Sequence, residues 1–119
     1  GDLPRYYRAG NVFAMPCRNR LGGLEVEGWG NVFIEAAACG RPVVVGDSGG
    51  ARESLVPGET GLLVDGSDGA QVSDAVGALL ADPARAQSMG RAGRERVERA
   101  FAWSRPAEQL AGWLREAVA

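Results

Sequence analysis

Short apolar runs alternate along this chain with longer stretches whose apolar residues recur at helical spacing. Val12-Phe13-Ala14-Met15, stopped by Pro16, Pro42 to Val45, and Gly61 to Val64 after the turn at Pro57-Gly58 are the runs. Each is short, uniformly apolar and bounded by Gly or Pro, the pattern of a strand buried on both faces. Leu3 to Ala9, ended by Gly10, and Asn31 to Cys39, closed by Gly40, read as helices. Ser48-Gly49-Gly50 predicts a turn and Arg52 to Val56 a single helical turn. Asp68 caps the next helix, with Gln71 placed for a capping box and a stripe of Val72, Ala75, Val76, Leu79 and Leu80. Asp82-Pro83 starts another, with Pro at the favoured first position. Ser104 caps the last, whose stripe is Leu110, Trp113, Leu114 and Ala117.

Uniformly apolar strands alternating with helices predict an α/β fold: a parallel sheet of about three strands with helices on both faces. That is a small sheet for five helices, so the strand at Val12 to Met15 is expected to have an unpaired edge or a missing neighbour. The helices of 83–119 are expected to pack on or beside the sheet or to wrap away from it. The 119 residues suffice for one domain and not two.

Composition removes several function classes. A formal charge of −2 gives no electrostatic case for nucleic acid or an anionic surface. His is absent, which removes the commonest general base and transition-metal ligand. Cys17 and Cys39 have no metal-ligand spacing and are expected to be reduced, buried thiols, as in a cytoplasmic protein. No carboxylate cluster suggests a metal.

Cys17 to Gly30 is a Gly-rich loop between the first strand and the helix at Asn31, and it carries the candidate chemistry. Gly28 and Gly30 flank the helix start, where free N–H groups and the positive end of the helix dipole suit a phosphate. A tight turn alone would also account for these glycines. Glu35 is the only charged group between Gly28 and Gly40. If buried it needs a ligand or an internal Arg; on a single exposed stripe it needs neither. Gly49-Gly50, at the same end of the sheet, could form a second anion nest or a plain turn.

Glu27, seven intervening residues and Glu35, followed by Ala36-Ala37-Ala38-Cys39-Gly40-Arg41-Pro42-Val43, resemble the signature of the large retaining glycosyltransferase family called group 1, or family four. Ser48-Gly49-Gly50-Ala51-Arg52-Glu53 and Thr60-Gly61-Leu62-Leu63-Val64 match further elements in order, and Tyr7 to Pro16 is similar to the family's helix-then-strand entry. The resemblance covers nearly the whole chain. It implies a GT-B fold of two Rossmann-like domains, with residues 1–119 forming the second half of the C-terminal, nucleotide-sugar-binding domain. Met15 to Gly28 is similar to actinobacterial phosphatidylinositol mannosyltransferases that use GDP-mannose.

The resemblance also implies roles. Glu27 would hydrogen-bond the donor sugar and stands as the catalytic candidate. Glu35 would take the ribose hydroxyls. Backbone N–H groups of Gly30, Asn31 and Val32 would hold the diphosphate, with those of Gly28 and Trp29 near the sugar. Trp29 stands where Phe or Leu is usual, so a crowded pocket is expected. The family's Arg and Lys for the leaving diphosphate would lie on an earlier strand, and the acceptor would bind an N-terminal domain. Neither lies within these residues, so no turnover is expected of them alone. The intact enzyme would move a hexose, with mannose from GDP-mannose favoured, to a lipid or glycan acceptor at the inner face of the membrane, and would need no metal or cofactor. Two other readings stand: a stand-alone nucleotide-binding or regulatory module, and a structural remnant that dimerises through its exposed strand edge.

Overall fold

The computed structural model describes residues 1–118; Ala119, the end of the last expected helix, lies outside them. Three parallel strands, β1 (Phe13–Met15), β2 (Val43–Gly46) and β3 (Gly61–Val64), form one sheet in that order. Phe13 pairs with Val43, and Val43 with Gly61. The outer edge of β1 is unpaired among the described residues. Around the sheet run α1 (Leu3–Ala9), α2 (Asn31–Ala38), α3 (Gly69–Ala81), α4 (Pro83–Ala100) and α5 (Ser104–Val118).

Strand residues point alternately to opposite faces, and β2 uses both. Val43 and Val45 pack with Phe33, Ala36, Ala51 and Leu55 on the face covered by α2. Val44 packs with Val64, Leu79, Ala86 and Met89 on the face covered by α3 and the start of α4. All three valines are at most 1% exposed. Burial of each is worth about 1.5–3 kcal/mol, which is why the central strand has no polar side.

Helix α4 does not leave the sheet, as one expectation for 83–119 had it. Its first turns carry Ala86 and Met89 into the second core, and its middle passes the C-terminal end of α2. There Gly90 and Gly93 let the backbones meet: a Cβ on Gly90 would fall 2.1 Å from the Gly40 carbonyl oxygen. Arg96 then donates to the carbonyls of Ser54 and Glu53, both at 2.9 Å. Only α5 stands apart. It buries no residue, and its expected stripe is open, with Leu110, Trp113 and Leu114 at 53, 64 and 57% exposure. An amphipathic pattern requires a partner for its apolar face, and none lies among the described residues. Ser104 is the first helical residue of α5 rather than its cap.

Three local readings change. Ser48 to Val56 forms a single 3₁₀ segment, Gly49–Ser54, after which Leu55 is extended, so the helical turn sits earlier than Arg52. Asp68 caps α3 by accepting from the Gln71 N–H at 3.0 Å, but Gln71 turns its own oxygen to the Asp65 N–H at 2.6 Å. The reciprocal half of the capping box is therefore not made, because the preceding turn competes for it. Leu80 ends the α3 stripe 55% exposed, past the edge of the second core.

The two helical glycines Gly90 and Gly77 should respond oppositely to Ala. Nothing lies within 4 Å of a Cβ at Gly77, so Gly77→Ala should stabilise by about 1 kcal/mol through helix propensity. Gly90→Ala should destabilise by about 1–3 kcal/mol, because overpacking against the Gly40 backbone outweighs that gain. Thermal unfolding followed by circular dichroism checks both. Equal shifts of one sign would contradict the close helix crossing.

Candidate functional site

At the carboxyl ends of the strands, backbone packs on backbone. A Cβ on Gly46, the last residue of β2, would fall 1.9 Å from the Cys17 carbonyl oxygen, and one on Gly66, just past β3, 2.2 Å from the same atom. The exit from β1 is thus wedged between two glycines. The Cys17 thiol donates to the Gly46 carbonyl at 3.1 Å. Burial, then the nearby Glu27 charge, push this thiol up from its ordinary range. Cys17 and Cys39 are both free and half-buried, not fully buried as expected.

The loop beyond is ordered by its own small hairpin. Arg20 and Glu25 exchange backbone hydrogen bonds at 2.9 and 3.2 Å around a 3₁₀ turn, Leu21–Gly23. Their side chains approach to 3.6 Å on the surface, a contribution of little weight. Glu27 follows, held from both sides of its peptide. Its N–H donates to Ser48 Oγ at 3.1 Å, and its carbonyl accepts from the Gly50 N–H at 3.0 Å. Ser48 Oγ in turn donates to Asn19 Oδ1 at 2.7 Å. Gly49 and Gly50 therefore do not form a second anion nest. They lie against the loop, where Cβ atoms would meet the carbonyl oxygens of Glu27 and Gly28 at 2.0 and 2.1 Å, and the Gly50 N–H is already used.

Helix α2 starts at Gly30, whose φ of 75° is left-handed and whose Cβ would strike the Phe33 ring at 2.5 Å. Only glycine fits both conditions. Phe33 is fully buried and packs edge-on with Phe13, which meets Tyr7 the same way, so the helix start is pinned to the core. The Phe33 N–H is satisfied by the Gly30 carbonyl at 3.0 Å. The five preceding N–H groups, of Gly28, Trp29, Gly30, Asn31 and Val32, have no acceptor among the described residues. Free donors at the positive end of a helix are the chemistry that suits an anion. Trp29 was expected to crowd this pocket. Its ring meets Phe101, just past α4, edge-on, and Phe101 also carries the Arg96 guanidinium at 4.8 Å.

Glu35 is exposed, so the buried-carboxylate reading fails and no internal Arg is needed. It does have a partner that the sequence did not signal. Tyr7 Oη donates to Glu35 Oε2 at 2.6 Å, leaving Oε1 open. Burial, then this hydrogen bond and the Glu35 charge, push Tyr7 up to about 12. Asn31 and Glu35 lie one turn apart, so both stand on the open side of α2. Of the expected site residues, Glu27, Gly28, Trp29, Gly30, Asn31, Val32 and Glu35 therefore line one rim. Asn19, Ser48 and Tyr7, which complete it, were not foreseen. All three stood inside segments that carried the resemblance, but no role was read for any of them.

Two cavities adjoin the rim. One of 210 Å³ is lined by Cys17, Arg18, Arg20, Glu25, Val26 and Glu27. A larger, polar one of 490 Å³ is lined by Arg18, Asn19, Asp47, Asp65, Ser67 and Gln71, with Leu63 and Val64 behind. A third, of 330 Å³, opens at the far end of the sheet beside Arg41, Pro42 and Pro83 and contains none of the site residues. No cluster of His, Cys, Asp or Glu able to hold a metal occurs among the described residues. None of their helices is long and apolar enough to cross a membrane.

Comparison with known proteins agrees with this geometry. Residues 1–96 match the family described as glycosyl transferases group 1. A GDP-mannose-dependent alpha-(1-6)-phosphatidylinositol monomannoside mannosyltransferase of Mycolicibacterium smegmatis is 51% identical over 115 residues, which cover 93% of this chain and 30% of that protein. The chain thus spans about 30% of the length of the curated relative it matches. Among solved structures, sucrose-phosphate synthase from Thermosynechococcus elongatus aligns with a TM-score of 0.83 at 40% identity, over 95% of this chain and 27% of that one. Anabaena HepE, solved with UDP, aligns with a TM-score of 0.86 at 22% identity, over 98% of this chain and 30% of that one, a likeness of fold. The three parallel strands and their helices are those of a GT-B C-terminal domain.

The Tyr7–Glu35 contact can be read by titration. The folded pKa of Tyr7 lies above the ordinary 10.0, so its protonated form favours the folded state. That contribution is complete below pH 10.0 and is lost as pH rises through about 12. A spectrophotometric phenol titration should show a step near 12 that Tyr7→Phe removes. The stability difference between the two proteins should shrink over the same window. Absence of the step would sink the hydrogen bond.

Proposed function

This chain belongs to the group 1 glycosyl transferases, and we propose that it is the donor-binding part of an enzyme that moves mannose from GDP-mannose to a phosphatidylinositol-mannoside type of lipid. The observation that carries this reading is the run of five free N–H groups, 28–32, beside Glu27 and one turn from Glu35. A nucleotide sugar is a diphosphate with a hydroxyl-bearing ring at each end, and the rim offers matching groups in that order. The N–H groups of Gly30, Asn31 and Val32 take the diphosphate, where the helix dipole favours negative charge. Glu27, with the N–H groups of Gly28 and Trp29, takes the sugar. Glu35 accepts from the ribose hydroxyls through the oxygen that Tyr7 leaves open. No metal or cofactor takes part.

Donor and acceptor rest on the 51% identity to a mannosyltransferase whose name gives both. In the proposed reaction the diphosphate departs, an oxocarbenium-like centre forms, and the acceptor hydroxyl attacks from the same face, passing its proton to the departing diphosphate and retaining configuration. Fixed donors and a fixed carboxylate lower the barrier by orientation and by stabilising charge as it develops. The rest of the enzyme supplies the acceptor site, an N-terminal domain and the leaving-group cations. It works at the cytoplasmic face of the membrane, and these residues alone catalyse no transfer.

In the intact enzyme, Glu35→Ala should weaken nucleotide binding by about 1.5–3 kcal/mol, the worth of a hydrogen bond to a charged group. Glu27→Ala should reduce transfer more than it reduces nucleotide affinity. Calorimetry with GDP and steady-state transfer assays separate the two. Equal losses of free-nucleotide affinity would contradict this division of roles. GDP-mannose should raise the thermal midpoint of the intact enzyme and UDP-sugars should not; the reverse order would overturn the donor assignment. Glycosyl transfer by the isolated chain would overturn its role as a part.

A further inference from the structure

Ser48 sits two residues past the end of β2 and is 1% exposed. Its hydroxyl both accepts and donates: from the Glu27 N–H at 3.1 Å and to Asn19 Oδ1 at 2.7 Å. Two residues on, the Gly50 N–H reaches the Glu27 carbonyl at 3.0 Å. Both polar groups of the Glu27 backbone are therefore tied to the Ser48–Gly50 segment, and Asn19 at the near end of the loop is tied to the same hydroxyl. A buried hydroxyl that lost these partners would bear a desolvation cost, so the geometry is held from both sides.

We propose that Ser48 is a positioning residue: it clamps the 19–27 loop to the end of β2 so that the Glu27 carboxylate is fixed against the donor sugar. This rests on the reading of Glu27 as the sugar ligand. The clamp acts on one half of the site only. The N–H groups of Gly30, Asn31 and Val32 are set by Gly30 and by the Phe33 ring in the core, and neither of Ser48's hydroxyl bonds reaches them. Loss of the hydroxyl therefore loosens Glu27 and leaves the diphosphate cradle in place. A merely structural Ser48 would instead lower stability and affect nucleotide binding and transfer alike.

The test uses the intact enzyme with Ser48→Ala, Asn19→Ala, the double variant and Glu27→Gln. Ser48→Ala should lower kcat by about 10-fold, since slight misplacement of a reacting geometry is costly. The Kd for free GDP should stay within about 2-fold, the scatter of independent sites. Asn19→Ala should act in the same direction, and the double variant should be no worse than Ser48→Ala, because both remove one clamp. Normal transfer by a folded Ser48→Ala enzyme, alongside lost transfer in Glu27→Gln, overturns the clamp alone. Additive effects of the two clamp variants overturn it as well. Normal transfer in Glu27→Gln overturns the sugar-ligand reading, and the clamp with it. If Ser48→Ala does not fold, exposed Asn19 decides: lowered kcat with unchanged GDP affinity supports the clamp, and unchanged kcat overturns it.

Discussion

Direct contact of backbone on backbone at the carboxyl ends of the strands is the constraint on which this site depends. Four glycines allow it. Gly46 and Gly66 enclose the Cys17 peptide, and Gly49 and Gly50 lie on those of Glu27 and Gly28. In each case a Cβ would come within 2.2 Å of a carbonyl oxygen, a distance no relaxation of a side chain could relieve. The loop after β1 thus rests on the ends of β2 and β3 instead of standing off in solvent. Main-chain hydrogen bonds can then fix it, as they fix Glu27. Loops usually carry function at the cost of mobility; here rigidity comes from absent side chains.

Helix α2 translates that rigid rim into a directed one. Phe33, Ala36 and Ala37 are buried on one side, while Asn31 and Glu35 share the other. Phe33 anchors the first turn in the core, so the free N–H groups before it hold a fixed direction. The opposite end of α2 is fixed by α4 through the Gly40–Gly90 approach. Further along, α4 returns to the rim, where Arg96 and Phe101 connect the 3₁₀ segment to Trp29. The two ends of α2 are therefore held by one neighbouring helix, and a disturbance at Gly90 would reach the free N–H groups through packed elements.

The sheet was legible because its strands are apolar on both faces, and few arrangements besides a parallel sheet covered by helices produce that pattern. The start of α2 was legible because Gly28 and Gly30 precede an apolar helix. Glu35 was not, because its surroundings in the chain are apolar while its surroundings in space are open. Sequence neighbours say what a helix contains, not which side faces solvent. The α5 stripe misled in the converse way: Leu110, Trp113 and Leu114 do form an apolar face, yet periodicity is silent on whether its partner lies among the same residues. Gln71 showed that a cap residue chooses among competing donors, a contest settled by the turn at Asp65. The functional assignment came from motif resemblance. Spacing alone was equally compatible with tight turns and an ordinary exposed Glu.

The electrostatics of the rim divide between acidic side chains and a positive backbone. The carboxylates that flank the free N–H groups in the chain are Glu27 and Glu35. The positive character of the rim comes from backbone N–H groups, equivalent to about half a unit charge at a helix end. Of the nearby arginines, Arg96 is committed to two carbonyls, whereas Arg20 and Arg52 meet Glu25 and Asp47 only in loose, exposed pairs at 3.6 and 3.7 Å. Arg18, which lines both adjoining cavities, has no carboxylate partner among the described residues. A helix start with free N–H groups suits an anion held through directed hydrogen bonds. Stabilising the charge that develops on a departing diphosphate is a different task, in which fixed cations contribute most. The orientation of the donor and the stabilisation of its leaving group are separate physical tasks, and the residues present suit the first.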